Sequence, residues 1–129
     1  MTDATFLTRF RNLSLQPELF THKAHLRLAW LQINLNGLEA AIKNCCEQIS
    51  AFASFHRDHQ KFNKTITIAS VYAVNHFMAG ENSFEEFIVR NPQLLSDLKA
   101  LINSHYSYDI FAAENARLLF IEPDVQPFI

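Results

Sequence analysis

Residues 21–36 read THKAHLRLAWLQINLN, and this stretch decides the fold class. Its apolar residues occupy more than one face of a helix, which is typical of an element at the centre of a domain. Thr21 is suited to the N-cap of such a helix and Gly37 to its C-terminus. The sequence therefore predicts a central, largely buried helix between these two residues.

Helix-length segments flank the central helix. A first helix is predicted over roughly 3–11, and a third over roughly 38–55, where apolar residues recur at spacings of three and four. The third should pack antiparallel to the second across the short Gly37 connection. The segment 62–78 is rich in β-branched residues, so a strand is the alternative there. Its apolar pattern continues for about four turns, which favours a helix.

Shorter helices are predicted in the last third of the chain. Ser83 and Glu86 form a capping box that starts one of them. Asn91 and Pro92 are typical of an N-cap and a first-turn proline, and they predict a further helix through about residue 102. We therefore expect an all-α protein, a single-domain bundle of about six or seven helices over residues 1–129, with a proline-bearing tail extended or wrapped over the body.

Composition excludes several classes of function. The formal charge is −2 and the basic residues are scattered, which argues against a nucleic-acid partner. No segment approaches 18 uninterrupted apolar residues and no signal peptide is evident, so we expect a cytoplasmic protein without a membrane partner. Only two glycines occur, and the sequence contains neither a phosphate-binding loop nor a dinucleotide fingerprint. The adjacent Cys45 and Cys46 are expected to be free thiols in a reducing compartment.

His22 and His25 are the first candidate site residues. Residues three apart on a helix project within about 60° of each other, so both side chains can reach one place. Two ligands do not make a zinc site, and no zinc motif accompanies them. The alternative is structural: an exposed His22 at the helix entrance and a half-buried, hydrogen-bonded His25.

The segment KFNKTIT, residues 61–67, is the second candidate. Lys61, Asn63, Thr65 and Thr67 enter a predicted helix whose free N–H groups favour anions. The same residues also fit ordinary first-turn chemistry, with Asn63 as N-cap. A second H-x-x-H pair precedes this segment in the polar loop HRDH, residues 56–59, where histidines are usually solvated.

The tail supplies two acidic candidates, Glu122 and Asp124. If the tail is pinned to the body, either carboxylate could reach His25, orient its imidazole and raise its pKa. Together with His22 and His25, such a carboxylate would also complete a metal site.

Several of these stretches resemble the motifs of a family of small bacterial proteins of unknown function. The family shows F-x-H-x-x-H-L-x-L-A-W and K-[FY]-[HN]-x-T-[IL]-T and ends on an EPD-like tail, and the resemblance spans about residues 20–127. This chain has Asn63 where many relatives have His, which counts against zinc. The resemblance implies no activity, but it implies joint action of the residues in its motifs: His22, His25, Lys61, Thr65, Thr67 and Asp124.

The leading functional hypothesis is a small-molecule-binding protein or enzyme with a polar pocket at adjoining helix N-termini. In this pocket His22 and His25 are hydrogen-bonding or acid–base groups, and Lys61 contacts an anion. Asn63, Thr65, Thr67 and Asp124 supply polar groups, and Trp30 with Tyr72 forms an apolar wall. The alternatives are a helical interaction module, in which a Phe-rich face binds a protein or a second copy, and a metal-binding protein. The sequence names no cofactor and no reaction.

Overall fold

Seven α-helices and four single-turn 3-10 helices make up the computed structural model, which describes all 129 residues and contains no strand. The prediction of an all-α bundle is confirmed. No helix has both the length and the apolar character needed to span a membrane. The helices are α1 (Asp3–Arg11), α2 (His22–Asn36), α3 (Leu38–Phe55), α4 (Lys64–Phe77), α5 (Phe84–Arg90), α6 (Gln93–Ser96) and α7 (Leu98–Asn103), and the 3-10 turns are Pro17–Leu19, His59–Lys61, Ile110–Ala112 and Glu114–Ala116.

The helices α2, α3 and α4 pack against one another and form the centre of the molecule. Thr21 starts α2, because its hydroxyl accepts a hydrogen bond from the Ala24 N–H at 3.2 Å. Gly37 ends α2 and precedes α3 directly, with a φ of +85° that favours glycine. Leu26 and Leu28 of α2 are almost completely buried in a single hydrophobic cluster. These contacts fix α2 as the central element, as its apolar pattern predicted.

The segment predicted over 62–78 is helical from Lys64 to Phe77, and α4 starts at Lys64 because Asn63 is the N-cap. The Asn63 side-chain oxygen accepts from the Ile66 N–H at 2.9 Å. Phe62, the predicted first residue of the helix, is instead buried just before it. The β-branched residues of α4 therefore serve packing between helices rather than a strand.

The predicted single helix after Asn91 is two short helices, α6 and α7, which meet at Asp97. Asn91 does not cap α6 through its side chain. Its side-chain N–H donates instead to the Phe87 carbonyl at 2.9 Å, so the Asn91 side chain closes the end of α5. The prediction of Asn91 as an N-cap was wrong because its buried side-chain amide bonds to the preceding helix.

The C-terminal tail, residues 117–129, follows the last 3-10 turn and is attached to the body by hydrogen bonds. The Thr65 hydroxyl donates to the Leu119 carbonyl at 2.7 Å and accepts from the Ile121 N–H at 3.0 Å. The Tyr106 hydroxyl donates to the Ile121 carbonyl at 2.6 Å. Further along, the Val125 N–H donates to the carbonyl of residue 105 at 3.0 Å. The tail therefore runs along α4 and the segment that follows α7.

Candidate functional site

Two small cavities, each of about 90 Å³, open beside the start of α4 and share His25, Ile49 and Lys61. The first, which we call the Thr67 cavity, also has Thr67 and Ser70 in its wall. The second, the Phe52 cavity, is lined by these further residues: Pro17, Phe20, Phe52, Ala53, His56 and Asp58. Because His25 lines both cavities, we refer to them together as the His25 site.

His25 is held in one orientation by its own helix and by an aromatic neighbour. Its Nδ1 lies 2.9 Å from the Thr21 carbonyl oxygen, which can only accept, so Nδ1 carries the proton and donates. Its ring stacks on the Phe20 ring with 3.7 Å between centroids. The neutral tautomer that results has a free lone pair on Nε2, and this nitrogen bonds to no other protein group.

The environment keeps the His25 imidazole uncharged. Burial is the largest influence and lowers its pKa, and the nearby charges of His22 and Lys61 lower it further. The hydrogen bond to the Thr21 carbonyl raises the pKa of His25, but by less than burial lowers it. At neutral pH the Nε2 atom is therefore an acceptor for hydrogen bonds and a base for protons.

The remaining polar groups of the Thr67 cavity differ in availability. Asn63 lines the cavity, but its side-chain oxygen is engaged with the Ile66 N–H. The hydroxyls of Thr67 and Ser70 make no hydrogen bond within the protein. Lys61 is largely solvent-exposed, and its ammonium group lies 3.8 Å from Asp58. The cavity therefore presents two free hydroxyls and one weakly paired cation at its rim.

The Phe52 cavity has aromatic walls. The ring centroids of Phe20 and Phe52 are 5.3 Å apart, and those of His56 and Phe52 are 4.4 Å apart. The Nε2 of His56 is buried and has no hydrogen-bond partner, which is uncommon for a polar atom inside a protein. His56 was predicted to be a solvated loop histidine, but it is half-buried and lines this cavity. His59, the other member of that pair, is exposed and lines neither cavity.

Four of the eight sequence-predicted site residues, His25, Lys61, Asn63 and Thr67, line the Thr67 cavity together. His22 does not join them: it is exposed, and its Nε2–H donates to the Leu94 carbonyl at 3.0 Å. Thr65 is buried on another side of α4, where it holds the tail.

Trp30 and Asp124 also lie outside the His25 site. Trp30 is buried against Phe84 and Phe87, with ring centroids 6.2 and 6.3 Å away. Asp124 accepts hydrogen bonds from the backbone N–H and the hydroxyl of Ser107, and these bonds lower its pKa. Since the ring of His25 bonds only to the Thr21 carbonyl, no carboxylate orients it.

Neither cysteine has the properties of a nucleophile. Burial, with a smaller contribution from Cys46, raises the pKa of Cys45 to about 12. Burial also raises the pKa of Cys46. Both thiols are free and remain protonated at neutral pH, so Cys45 contributes to the Thr67 cavity as an apolar wall.

The site shows no set of ligands for a metal ion. No three side chains of His, Cys, Asp or Glu are grouped closely enough to hold one. The helix N-termini are partly occupied as well, because Thr21 caps the Ala24 N–H and Asn63 caps the Ile66 N–H. An anion at this place would therefore depend on the Lys61 side chain.

Comparisons with known proteins add no identification. No family model matches the chain, and the searches of curated proteins and of solved structures found no match. The resemblance to the family of small bacterial proteins stays a prediction.

Proposed function

We propose that the protein binds a small polar molecule in the His25 site. One observation carries this proposal: His25 lines both cavities with its Nδ1–H committed to the Thr21 carbonyl and its Nε2 free. A ring fixed on Phe20 in this way is organised before a ligand arrives, which reduces the cost of binding. Nε2 accepts a hydrogen bond from the ligand.

The other groups of the site indicate the chemistry of the ligand. The hydroxyls of Thr67 and Ser70 are available to donate or accept, and Lys61 favours a negative charge near the rim. Each cavity holds about 90 Å³, far less than the roughly 300–1,000 Å³ of sites for drug-sized ligands. A short hydroxy acid satisfies both the size and the polar groups, because its hydroxyl can donate to the His25 Nε2 and its carboxylate can accept from Lys61.

The same geometry gives His25 a chemical role in addition to binding. A neutral imidazole with an unprotonated Nε2 can remove a proton from a bound hydroxyl or from a carbon next to a carbonyl group. We propose this general-base role as the enzymatic form of the function, with Thr67 and Ser70 positioning the ligand.

A thermal-shift screen tests the binding proposal, because a ligand that binds only the folded state raises the melting temperature. The panel consists of linear hydroxy acids with two to six carbons, and the unsubstituted carboxylates of the same lengths, which have no hydrogen to donate to Nε2, are the negative controls. The test variant is His25→Phe, which retains a ring against Phe20 and removes the acceptor. The matched control is His59→Phe, since His59 is exposed and outside both cavities.

At least one hydroxy acid should raise the melting temperature of the unmodified protein and of His59→Phe, and should fail to do so for His25→Phe. If no hydroxy acid stabilises the protein, or if His25→Phe responds as strongly as the control, the proposal is wrong.

The interaction-module alternative has less structural support. Of the twelve Phe residues only Phe55 is exposed, with 54% of its surface accessible, so the structure presents no Phe-rich outer face.

A further inference from the structure

The largest cavity of the molecule, about 600 Å³, lies on the other side of α4, between α4, α7 and the C-terminal tail. We call it the tail cavity. Its volume is within the roughly 300–1,000 Å³ that is common for small-molecule sites. It shares no residue with either part of the His25 site, so whatever it binds is separate from the function proposed above.

The wall of the tail cavity contains five flat rings, those of Tyr72, His76, Phe77, His105 and Phe128. The rings of Tyr72 and Phe128 are stacked, with 5.2 Å between centroids and an interplanar angle of 17°. The ring of His105 lies 4.7 Å from that of Phe128, and Phe77 lies at the end of α4. Aromatic rings attract further rings in stacked or edge-to-face arrangements, so these walls favour a planar ligand.

No Asp, Glu, Lys or Arg side chain lines the tail cavity. A charged ligand would lose part of its water shell there and would find no side-chain carboxylate, ammonium or guanidinium group to pair with. This composition differs from that of the His25 site, where Lys61 and Asp58 are present.

Polar atoms in the tail cavity are nevertheless free to bond. The Nδ1–H of His105 donates to the Gln126 carbonyl at 2.9 Å, which leaves its Nε2 as an acceptor. The hydroxyl of Tyr72 and the amide of Asn75 make no hydrogen bond within the protein. These groups can pair with the ring nitrogen, N–H or hydroxyl of a heteroaromatic ligand.

We propose that the tail cavity binds a neutral, planar aromatic or heteroaromatic molecule, whose ring packs against the Tyr72 and Phe128 pair and whose polar atoms bond to His105, Tyr72 or Asn75.

Titration of the full chain with indole and with quinoline tests this proposal, and indole-2-carboxylate is the charged counterpart. Amide chemical shifts in the NMR spectrum should change saturably for residues of α4, α7 and the tail. The anion should bind at least tenfold more weakly than indole. The proposal is overturned if neither neutral probe gives saturable shifts, or if the carboxylate binds as well as indole.

A cavity-filling variant locates the binding site. Ala73→Leu adds bulk to a residue in the wall and should weaken indole binding at least tenfold. The matched control, Ala51→Leu, adds the same bulk to an exposed position of α3 and should leave the affinity unchanged.

Nuclear Overhauser effects between indole and the rings of Tyr72 and Phe128 in the unmodified protein provide a readout that does not depend on how Ala73→Leu folds. Unchanged affinity in a folded Ala73→Leu protein, or saturable binding without these effects, would contradict the assignment.

Discussion

The two sides of α4 use similar residues for different purposes. Thr67 and Thr65 are two positions apart, and on a helix such residues face different directions. The Thr67 hydroxyl lines a cavity and bonds to no protein group. The Thr65 hydroxyl is buried and bonds to both Leu119 and Ile121 of the tail.

This difference shows how to separate structural from functional polar groups in this molecule. A hydroxyl with both its hydrogen-bonding roles satisfied has a structural task, and its loss costs stability. An accessible hydroxyl without a protein partner costs little to remove, but it is available to a ligand. Each side of α4 should therefore respond to mutation in its own way.

Thr65→Val should have the largest effect on stability. The substitution keeps the shape of the side chain and leaves the Leu119 carbonyl and the Ile121 N–H without their partner. We expect the free energy of unfolding to fall by about 2 kcal/mol. Urea denaturation measures it, and Thr67→Val, with an expected change within about 0.5 kcal/mol, is the control. Equal losses in the two variants would contradict the distinction between the two sides.

Thr67→Val should instead affect ligand binding. An acid that stabilises the unmodified protein should bind this variant about fivefold more weakly, which corresponds to one neutral hydrogen bond of about 1 kcal/mol. Isothermal titration calorimetry measures the change. An unaltered affinity would remove Thr67 from the His25 site.

Tyr106→Phe should weaken the attachment of the tail. It should also make the stability of the protein less sensitive to alkaline pH. Burial is the main cause that raises the pKa of Tyr106 to about 12, from 10.0 in water. A raised pKa contributes stability that is complete below pH 10 and is lost as the pH rises toward 12. We expect a loss of about 1 kcal/mol in the variant at neutral pH. The difference in free energy of unfolding between this variant and the unmodified protein should narrow above pH 10. A constant difference up to pH 12 would mean that the pKa of Tyr106 is not raised.

The smallest of these effects should be the decrease in stability that the protonation of His25 causes at acidic pH. Its pKa is lowered in the folded state, mainly by burial, so its contribution is present above the unfolded value of about 6.5. It is lost as the pH falls through the folded value, because the unfolded chain takes up the proton more readily. Urea midpoints between pH 7.5 and 5 should fall less steeply for His25→Phe than for His59→Phe. Parallel slopes would mean that the pKa of His25 is not lowered.

The sequence predicted the central helices closely because their ends carry clear signals. Thr21 and Gly37 mark the limits of α2, and the apolar stripe of α3 continues without interruption. The break between α6 and α7 has a weaker signal, because Asp97 is a residue type common at an N-cap but its side chain caps no backbone N–H, and neither Gly nor Pro marks the end of α6. It depends on how the two short helices pack, which a local pattern does not contain.

The candidate site was predicted in part, and helical geometry explains which part. His25 and Thr67 were recognised from their motifs, but so was Thr65, although residues two apart do not share a helix face. Ser70 was missed, even though it follows Thr67 by three residues, a spacing that places it on the same face. The positions of Trp30 and Asp124 depend on tertiary contacts that no spacing in the sequence reveals.

The protonation of the His25 ring at neutral pH tests the central claim most directly. Long-range correlation NMR on the nitrogen-15-labelled protein distinguishes protonated from unprotonated ring nitrogens, and the His25→Phe spectrum identifies the signals of His25. We predict a protonated Nδ1, bonded to the Thr21 carbonyl, and a bare Nε2. A proton on Nε2, whether in the other neutral tautomer or in a charged ring, would contradict the account.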